Sequence, residues 1–328
     1  MGNNNNDNNN TIKIISWNVN AFCNTKNWND LSTEELKNEQ NKNYLQILEK
    51  IKGLLEIIGE NGVLFLQEIP KMVIKDLDKL NKLSSDNKIE KNGALFLQEM
   101  PKELVQILSE LLLNYKIEKN FDKKHPKTST IAIYKKSSNW ENETFNTSKA
   151  IYKKKESVYY YNRCVLLKSD LLQIQILGVH IPSAYRDPTA LLLWDDIIEF
   201  ARTKEPLIII GDFNADAEDT PQWRCMKELM NLDKRQNNYY PKRNPKYATY
   251  IEPEGDAKRK KIGDPKTYHY KNEKGKEEGS HVDYALIRED SKSKFTVEKY
   301  RILTDYKEYS DHYPIMLEIN LNNDTEEA

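Results

Sequence analysis

The stretch LIIIGDFNAD, residues 207–216, runs from a block of apolar residues into a glycine, an aspartate, a phenylalanine and an asparagine. The apolar block predicts a buried β-strand, and Gly211 permits a tight turn at its end. Phe213 can then point into the core, while Asp212 and Asn214 project to the same side if the backbone stays extended. A carboxylate beside an amide at a strand end can hold a metal ion or a water molecule together with a phosphoryl oxygen.

Composition places this strand in a large, nearly neutral protein. The 328 residues carry a formal net charge of −1, which argues against electrostatic attraction of the whole molecule to nucleic acid or membrane. No apolar run approaches the roughly 20 residues of a membrane-spanning helix. The start of the chain lacks a signal-peptide pattern, and the three cysteines are widely spaced. We therefore expect an intracellular monomer, cytoplasmic or nuclear, without a membrane span.

The remaining apolar segments indicate one domain over residues 11–322, between a disordered Asn-rich tail at 1–10 and a short tail at 323–328. We expect a long loop at 24–43, a helix at 44–58 and a second helix that Pro188 opens. Strands are predicted at residues 11–22, 63–68, 129–136, 161–169, 171–180, 206–214, 281–287 and 312–321. Because helices connect only some of these strands, the pattern favours an α/β fold of two stacked sheets with helices outside.

One segment of the chain is nearly repeated. NGVLFLQEIPK, beginning at Asn61, returns as NGALFLQEMPK at Asn92, and each copy is followed by a helix-like stretch and by KIEK. We interpret this as a tandem duplication of a strand–helix–strand unit, at residues 61–91 and 92–119. Two copies are too few for a solenoid.

Several predicted strands end on an acid, an amide or a histidine. Loops at strand ends often carry functional sites, because the strands hold them rigidly while the side chains stay accessible. Oxygen ligands suit Mg²⁺ or Mn²⁺, and histidines that bind no metal can transfer protons. The residues are Asn18, Glu68 or Glu99, His180, Asp212, Asn214, Asp283, Asp311 and His312.

Five motifs in order, SWNVN, LFLQE, GDFNAD, SHVDYAL and SDHYPIMLEI, resemble the endonuclease/exonuclease/phosphatase superfamily. That family includes pancreatic deoxyribonuclease, exonuclease III-like AP endonucleases, sphingomyelinases and inositol polyphosphate 5-phosphatases. The resemblance covers about residues 12–321. It implies a four-layer α/β/β/α sandwich of two packed mixed β-sheets with outer helices, which agrees with the architecture expected from the strand pattern.

The resemblance also implies a role for each site residue. Asn18, the LFLQE glutamate and Asp311 would surround the metal, and Asp212 and Asn214 would orient the attacking water or a second metal. Asp283 would hold His312, which would act as general base or phosphate clamp. His180 would lie near the leaving group, and Arg163 would contact phosphate. In deoxyribonuclease-like members a glutamate supports the leaving-group histidine. At that place this chain has Thr128, Ser129 and Thr130.

The duplication leaves two candidates for the metal-binding glutamate. We favour Glu68, because the helix at 44–58 can join the Asn18 strand to the first LFLQE strand by one short right-handed crossover. With Glu99, a whole strand–helix–strand unit would be inserted into that crossover.

The motifs predict a divalent-metal-dependent phosphodiester hydrolase whose partner is nucleic acid, specifically a DNA nuclease. GDFNAD with VHIPS is typical of the deoxyribonuclease side of the superfamily. A lipid or inositol phosphohydrolase, such as a sphingomyelinase, would use the same centre. A binding protein without catalysis is a third alternative, but it would require loss of the histidine–acid set, which is intact.

Overall fold

The computed structural model describes residues 10–23, 32–70, 73–77, 102–119, 128–145, 150–152, 156–158, 161–183, 190–203, 208–215, 220–230, 250–260, 264–271 and 274–322. The helices are α1 (Thr33–Ile58), α2 (Lys102–Asn114), α3 (Ala190–Thr203) and α4 (Pro221–Leu229). The strands are β1 (Thr11–Asn18), β2 (Val63–Pro70), β3 (Tyr115–Lys119), β4 (Thr128–Lys135), β5 (Glu141–Glu143), β6 (Ala150–Tyr152), β7 (Glu156–Val158), β8 (Cys164–Ser169), β9 (Ile174–His180), β10 (Ile208–Asp212), β11 (Tyr250–Ile251), β12 (Tyr268–Lys271), β13 (Glu277–Ser280), β14 (Asp283–Arg288), β15 (Phe295–Ile302) and β16 (Ile315–Leu321).

Two six-stranded sheets form the centre of the molecule. Their strand orders are β15-β16-β1-β2-β4-β3 and β11-β14-β10-β9-β8-β5. Both sheets are mixed, since β1 pairs with β2 and β9 with β10 in parallel while the other pairs are antiparallel. The strands β12 and β13, and likewise β6 and β7, form separate two-stranded hairpins.

Three apolar clusters define four layers. One cluster joins the inward faces of the two sheets, with Ile14 and Phe65 from the first and Ile176 and Ile210 from the second. A second cluster packs α1 and α2 on the first sheet, and a third packs α3 and α4 on the second. The sheets approach closely, because a Cβ added to Gly178 would meet the Phe65 ring at 2.1 Å. The predicted sandwich of two mixed sheets with outer helices is confirmed.

The predicted loop at residues 24–43 is wrong in its second half, because α1 already begins at Thr33. Ser32 accepts a hydrogen bond from the Glu35 backbone N–H, and the Glu35 carboxylate accepts one from the Ser32 backbone N–H, which is a capping box. The first turns of α1 are polar and therefore lack the apolar periodicity from which the helix at 44–58 was predicted. The helix ends at Ile58, where Gly59 follows with a φ of 71°.

Other parts of the structure also bear on the sequence prediction. The strand predicted at 161–169 begins only at Cys164, after a 3₁₀ turn at Tyr161–Arg163. The helix after Pro188 is described from Ala190, and Pro188 itself lies outside the described residues. The edge strand β15 was missed, because its side chains are largely exposed and charged and so lack clear alternation.

The two copies of the duplicated segment contribute differently to the described structure. The first copy supplies β2, which pairs with β1. The second copy supplies α2 and the edge strand β3, while its LFLQE segment and Glu99 lie outside the described residues. The predicted tails at 1–10 and 323–328 lie outside them as well, apart from Asn10.

Candidate active site

Strand register brings the predicted residues to one end of the sandwich. In the second sheet Asp212, at the end of β10, is paired with His180 on one side and with Asp283 on the other. In the first sheet Asn18 is the last residue of β1. The Asn18 Nδ2 atom donates a hydrogen bond of 3.1 Å to Asp212 Oδ2, which joins the two sheets at the site.

His312 and Asp283 form a buried pair. The His312 Nδ1 atom lies 2.9 Å from Asp283 Oδ2, and His312 Nε2 lies 3.9 Å from Asp212 Oδ2. Burial alone would lower the pKa of His312, but the carboxylates of Asp283, Asp212 and Asp311 outweigh it and raise the pKa to about 10. The imidazolium form is therefore favoured, with Nδ1–H donated to Asp283 and Nε2–H directed toward Asp212.

Three residues that sequence reasoning missed hold this pair in place. The Thr267 hydroxyl accepts hydrogen bonds from the backbone N–H groups of Val282 and Asp283, both at 3.0 Å. Ser310 Oγ donates to the Asn18 carbonyl at 2.7 Å and accepts from the His312 N–H, and Trp17 Nε1 donates to the His312 carbonyl. Ser310 directly precedes the Asp311–His312 pair and Trp17 directly precedes Asn18, so proximity in sequence could have indicated both, but not Thr267.

The segment around Asp212 departs from the extended backbone considered for it. Gly211 has a φ of 151°, and a Cβ there would meet the Val179 carbonyl oxygen at 1.9 Å, so the position requires glycine. Asn214 is left-handed, with a φ of 48°. Its backbone N–H donates to Asp212 Oδ1, and its Nδ2 donates to the Ile181 carbonyl, both at 2.9 Å. Burial raises the pKa of Asp212 to about 7, against the opposing effect of His312.

Glu68 reaches the same cluster through a β-bulge. The pairing of β2 with β4 shifts register between Leu66 and Ile69, and Glu68 has a φ of 55°. Bulges of this kind redirect a side chain from the regular alternation of a strand. The Glu68 Oε1 atom lies 3.4 Å from His180 Nε2.

His180 and Arg163 form the second histidine pair of the site. The Arg163 Nη1 atom lies 2.6 Å from His180 Nδ1, and His180 Nε2 lies 3.8 Å from Asp212 Oδ2. Burial, together with the charges of Arg163 and His312, holds the pKa of His180 well below its usual range. The strand that offers Thr128, Ser129 and Thr130 contributes a different contact, because the Thr130 hydroxyl donates to the Arg163 carbonyl at 3.3 Å.

The oxygen atoms of the cluster fit a divalent cation. Asp311 Oδ1 is buried and has no hydrogen-bond partner among the residues that the structure describes. Burial raises the pKa of Asp311 to about 7, and the charge of Glu68 acts in the same direction. A buried, unpaired carboxylate is costly unless a cation balances its charge. One potential ligand atom from each of Asp212, Asp283 and His312 lies within 4.8 Å of the other two. The imidazolium form of His312 has no free lone pair for a metal, so this trio is assigned to the histidine–acid pair and not to the cation.

The sequence profile of the Endonuclease/Exonuclease/phosphatase family matches residues 15–312, which is most of the chain and includes every candidate site residue. The chain belongs to this family. Enzymes of the family are hydrolases that act on phosphoester bonds, and they generally use divalent metals. Among curated proteins, none matches the chain by sequence.

Several solved structures share the fold of this chain at low sequence identity. The 3′ phosphatase NExo from Neisseria, bound to a product DNA hairpin, is 14% identical with a TM-score of 0.50, covering 93% of this chain and 98% of that one. TDP2 from D. rerio, complexed with a single-strand DNA product, is 14% identical with a TM-score of 0.51, covering 94% and 99%. ANGEL2, a 2′,3′-cyclic phosphatase, is 13% identical with a TM-score of 0.51, covering 94% and 95%.

An aromatic row leads away from the histidine pair. The Tyr268 ring centroid lies 4.8 Å from that of His312, and the Tyr270 ring lies 5.6 Å from that of Tyr268. Both tyrosines belong to the β12–β13 hairpin and are only partly buried.

Within the described residues, no helix is long and apolar enough to cross a membrane.

Proposed function

We propose that this protein is a divalent-cation-dependent phosphodiesterase that hydrolyses DNA. The observation that carries the proposal is the convergence of the buried Asp283–His312 pair, Asp212 and Asp311 at one end of both sheets, where Asp311 Oδ1 has no hydrogen-bond partner among the described residues. A hydrolase needs a positioned water, a positive environment for the phosphoryl oxygens and a stabilised leaving oxygen. These residues are the chemical types that meet those needs.

In this proposal Asn18, Glu68 and Asp311 hold the cation, which when bound supplies positive charge to the phosphoryl oxygens. Asp212 and Asn214 bind and orient the attacking water. Asn214 Nδ2 is committed to the Ile181 carbonyl, so its Oδ1 is the amide atom that can accept a hydrogen bond from water. Asp283 fixes the ring of His312, so that Nε2–H can donate to a phosphoryl oxygen beside Asp212.

The choice of nucleic acid rests on the aromatic row. Stacking on aromatic rings recognises bases without regard to sequence, and each stacked base is typically stabilised by about 1–3 kcal/mol. Tyr268 contacts the ring of His312, so a base next to the scissile phosphate would lie against it. Two proteins of similar fold, NExo and TDP2, were solved with DNA products, which supports the same substrate class here.

The test is a cleavage assay with Mg²⁺, Mn²⁺ or excess chelator. Substrates are supercoiled plasmid, linear duplex, single-stranded DNA, RNA, a 2′,3′-cyclic nucleotide and sphingomyelin. We expect DNA cleavage with either cation and none with chelator. Asp311→Asn should lose this activity, while the matched surface variant Asp305→Asn, at an exposed position in the preceding turn, should keep it. Full activity in chelator, or turnover of sphingomyelin alone, would contradict the proposal.

A further inference from the structure

Strand pairing places Arg163 opposite His180. In the antiparallel pair of β8 and β9, Cys164 is opposite Val179, so the residue before β8 meets the last residue of β9. The 3₁₀ turn that ends at Arg163 is held by the Thr130 hydroxyl on the Arg163 carbonyl. His180 is 3% exposed, and its ring is therefore enclosed between the Arg163 guanidinium and the carboxylates of the site.

The chemical nature of these neighbours determines where His180 carries its proton. A guanidinium group is always a donor and has no acceptor atom. At 2.6 Å from Arg163 Nη1, the His180 Nδ1 atom must therefore be the acceptor, since two N–H groups cannot face each other at that distance. The proton of the neutral ring then lies on Nε2, which faces two acceptors, Glu68 Oε1 at 3.4 Å and Asp212 Oδ2 at 3.8 Å.

We propose that Arg163 is a positioning residue that holds His180 in the Nε2–H tautomer, so that His180 acts as a fixed hydrogen-bond donor to a phosphoryl oxygen and not as the acid that protonates the leaving group. The catalytic part of this inference rests on the proposed phosphodiesterase function. The tautomer itself follows from the donor and acceptor geometry alone.

The proton balance of hydrolysis therefore differs from that of a reaction in which His180 acts as general acid. Water forms the new P–O bond and releases one proton to solvent, and the old P–O bond breaks with its electron pair remaining on the leaving oxygen. His180 keeps its Nε2 proton throughout, because a neutral imidazole that gave it up would become an anion. The leaving oxygen takes its proton from solvent water.

The first test is the ¹⁵N NMR spectrum of the histidine rings in the full chain, which has five histidines. The His180 signals are assigned by their disappearance in His180→Gln. We expect a pyridine-like Nδ1 and a pyrrole-like Nε2, kept in Arg163→Lys, which is still an obligate donor. Arg163→Glu places a carboxylate at Nδ1, as Asp283 does for His312, and should therefore give a protonated, pyrrole-like Nδ1. A pyrrole-like Nδ1 in the wild-type protein would overturn the inference, even if the Arg163 variants fail to fold.

The second test compares two leaving groups. His180→Ala is assayed on a dinucleotide, which releases an alkoxide, and on a thymidine p-nitrophenyl phosphodiester, whose leaving group needs no proton. Loss of a hydrogen-bond donor to charge should lower kcat/KM about 10- to 100-fold on both substrates. His180→Gln, which keeps a donor, should recover much of that loss. A general acid would instead give a penalty of about 10²–10⁴-fold on the dinucleotide and almost none on the nitrophenyl ester.

The two tests separate this inference from the proposed function. The NMR readout does not depend on turnover, so a protein with the expected His180 spectrum and no phosphodiesterase activity would refute the proposed function and leave the tautomer standing. A protein that hydrolyses DNA but shows a protonated Nδ1, or a leaving-group-dependent His180→Ala penalty, would refute the inference alone.

Discussion

Two buried histidines lie on opposite sides of one carboxylate and have opposite partners. The Nε2 atoms of His312 and His180 lie 3.9 Å and 3.8 Å from the same atom, Asp212 Oδ2. Behind His312 is the Asp283 carboxylate, and behind His180 is the Arg163 guanidinium. The pKa of His312 is raised to about 10, whereas that of His180 is held well below its usual range.

The difference shows that the role of each histidine is set by the group that contacts its Nδ1 atom. Both side chains are buried and both present Nε2–H to the site. A carboxylate at Nδ1 stabilises the imidazolium form, and a guanidinium at Nδ1 excludes it. The site therefore combines a charged donor and a neutral donor, which in the proposed function would contact different oxygens of a phosphodiester.

The largest effect should come from the charged side of this comparison. We expect His312→Ala to lower kcat/KM on DNA by about 10²–10⁴-fold, because a positively charged donor is lost beside the reacting phosphate. His180→Ala should cost less, and Asp305→Asn, at an exposed position outside the site, should serve as the control. Steady-state kinetics checks the ranking; equal losses in the two site variants would remove the distinction drawn between them.

The next largest effect should come from the glutamate proposed to bind the cation. We expect Glu68→Gln to raise the Mg²⁺ concentration needed for half-maximal cleavage at least as much as the loss of an outer-shell partner, about 10- to 100-fold. Glu99→Gln should leave it unchanged, because β2 from the first copy already brings Glu68 to within 3.4 Å of His180. Loss of activity in Glu99→Gln alone would reverse the assignment, and no effect in either variant would remove the glutamate from the cation site.

A smaller effect is expected where the aromatic row meets His312. Tyr268→Ala should raise KM for single-stranded DNA about 5- to 100-fold, which corresponds to one stacked base. Tyr268→Phe keeps the ring and should retain the wild-type KM. The same KM in all three proteins would mean that Tyr268 contacts no base, and a fall in kcat with unchanged KM would mean that it supports His312 instead.

The smallest effect concerns the stability of the cation-free protein. The pKa of Asp311 is raised to about 7 by burial, above its unfolded value, so the folded state binds the extra proton and stability falls as pH rises from about 4 to 7. Asp311→Asn removes the buried charge and should raise the free energy of unfolding by about 1–2 kcal/mol at pH 7.5 and by little at pH 4. Denaturant unfolding in chelator, with Asp305→Asn as control, measures the difference. A destabilised Asp311→Asn at pH 7.5 would contradict it.

Much of the fold was predictable because the buried strands carry their own pattern. Residues 208–210 and 14–17 are buried on both faces, and both segments were predicted from their apolar residues alone. Elements whose contacts are mainly with solvent were not predictable. The polar start of α1 depends on the capping box of Ser32 and Glu35. The strand β15 has many exposed side chains and is defined by its backbone pairing with β16, which its own side-chain pattern does not report.

The site was predictable in its residue types but not in its geometry. Asp212 and Asn214 stand in a motif, yet the left-handed backbone at Asn214 follows from hydrogen bonds to Asp212 and Ile181. The contact of Arg163 with His180 depends on the register of β8 with β9, which no local pattern reports. Thr267 could not be predicted either, since its hydroxyl accepts a hydrogen bond from the backbone N–H of Asp283, a contact between residues far apart in sequence.

The central claim is that water attacks phosphorus in this cluster, and ¹⁸O-labelled water tests it most directly. A defined DNA oligonucleotide is cleaved in H₂¹⁸O with Mg²⁺, and the products are weighed by mass spectrometry. We predict one ¹⁸O atom in the phosphate-bearing fragment, none in the alcohol fragment, and labelling that is about 10²–10⁴-fold slower with His312→Ala. Label in the alcohol fragment, or cleavage without label, would contradict the account.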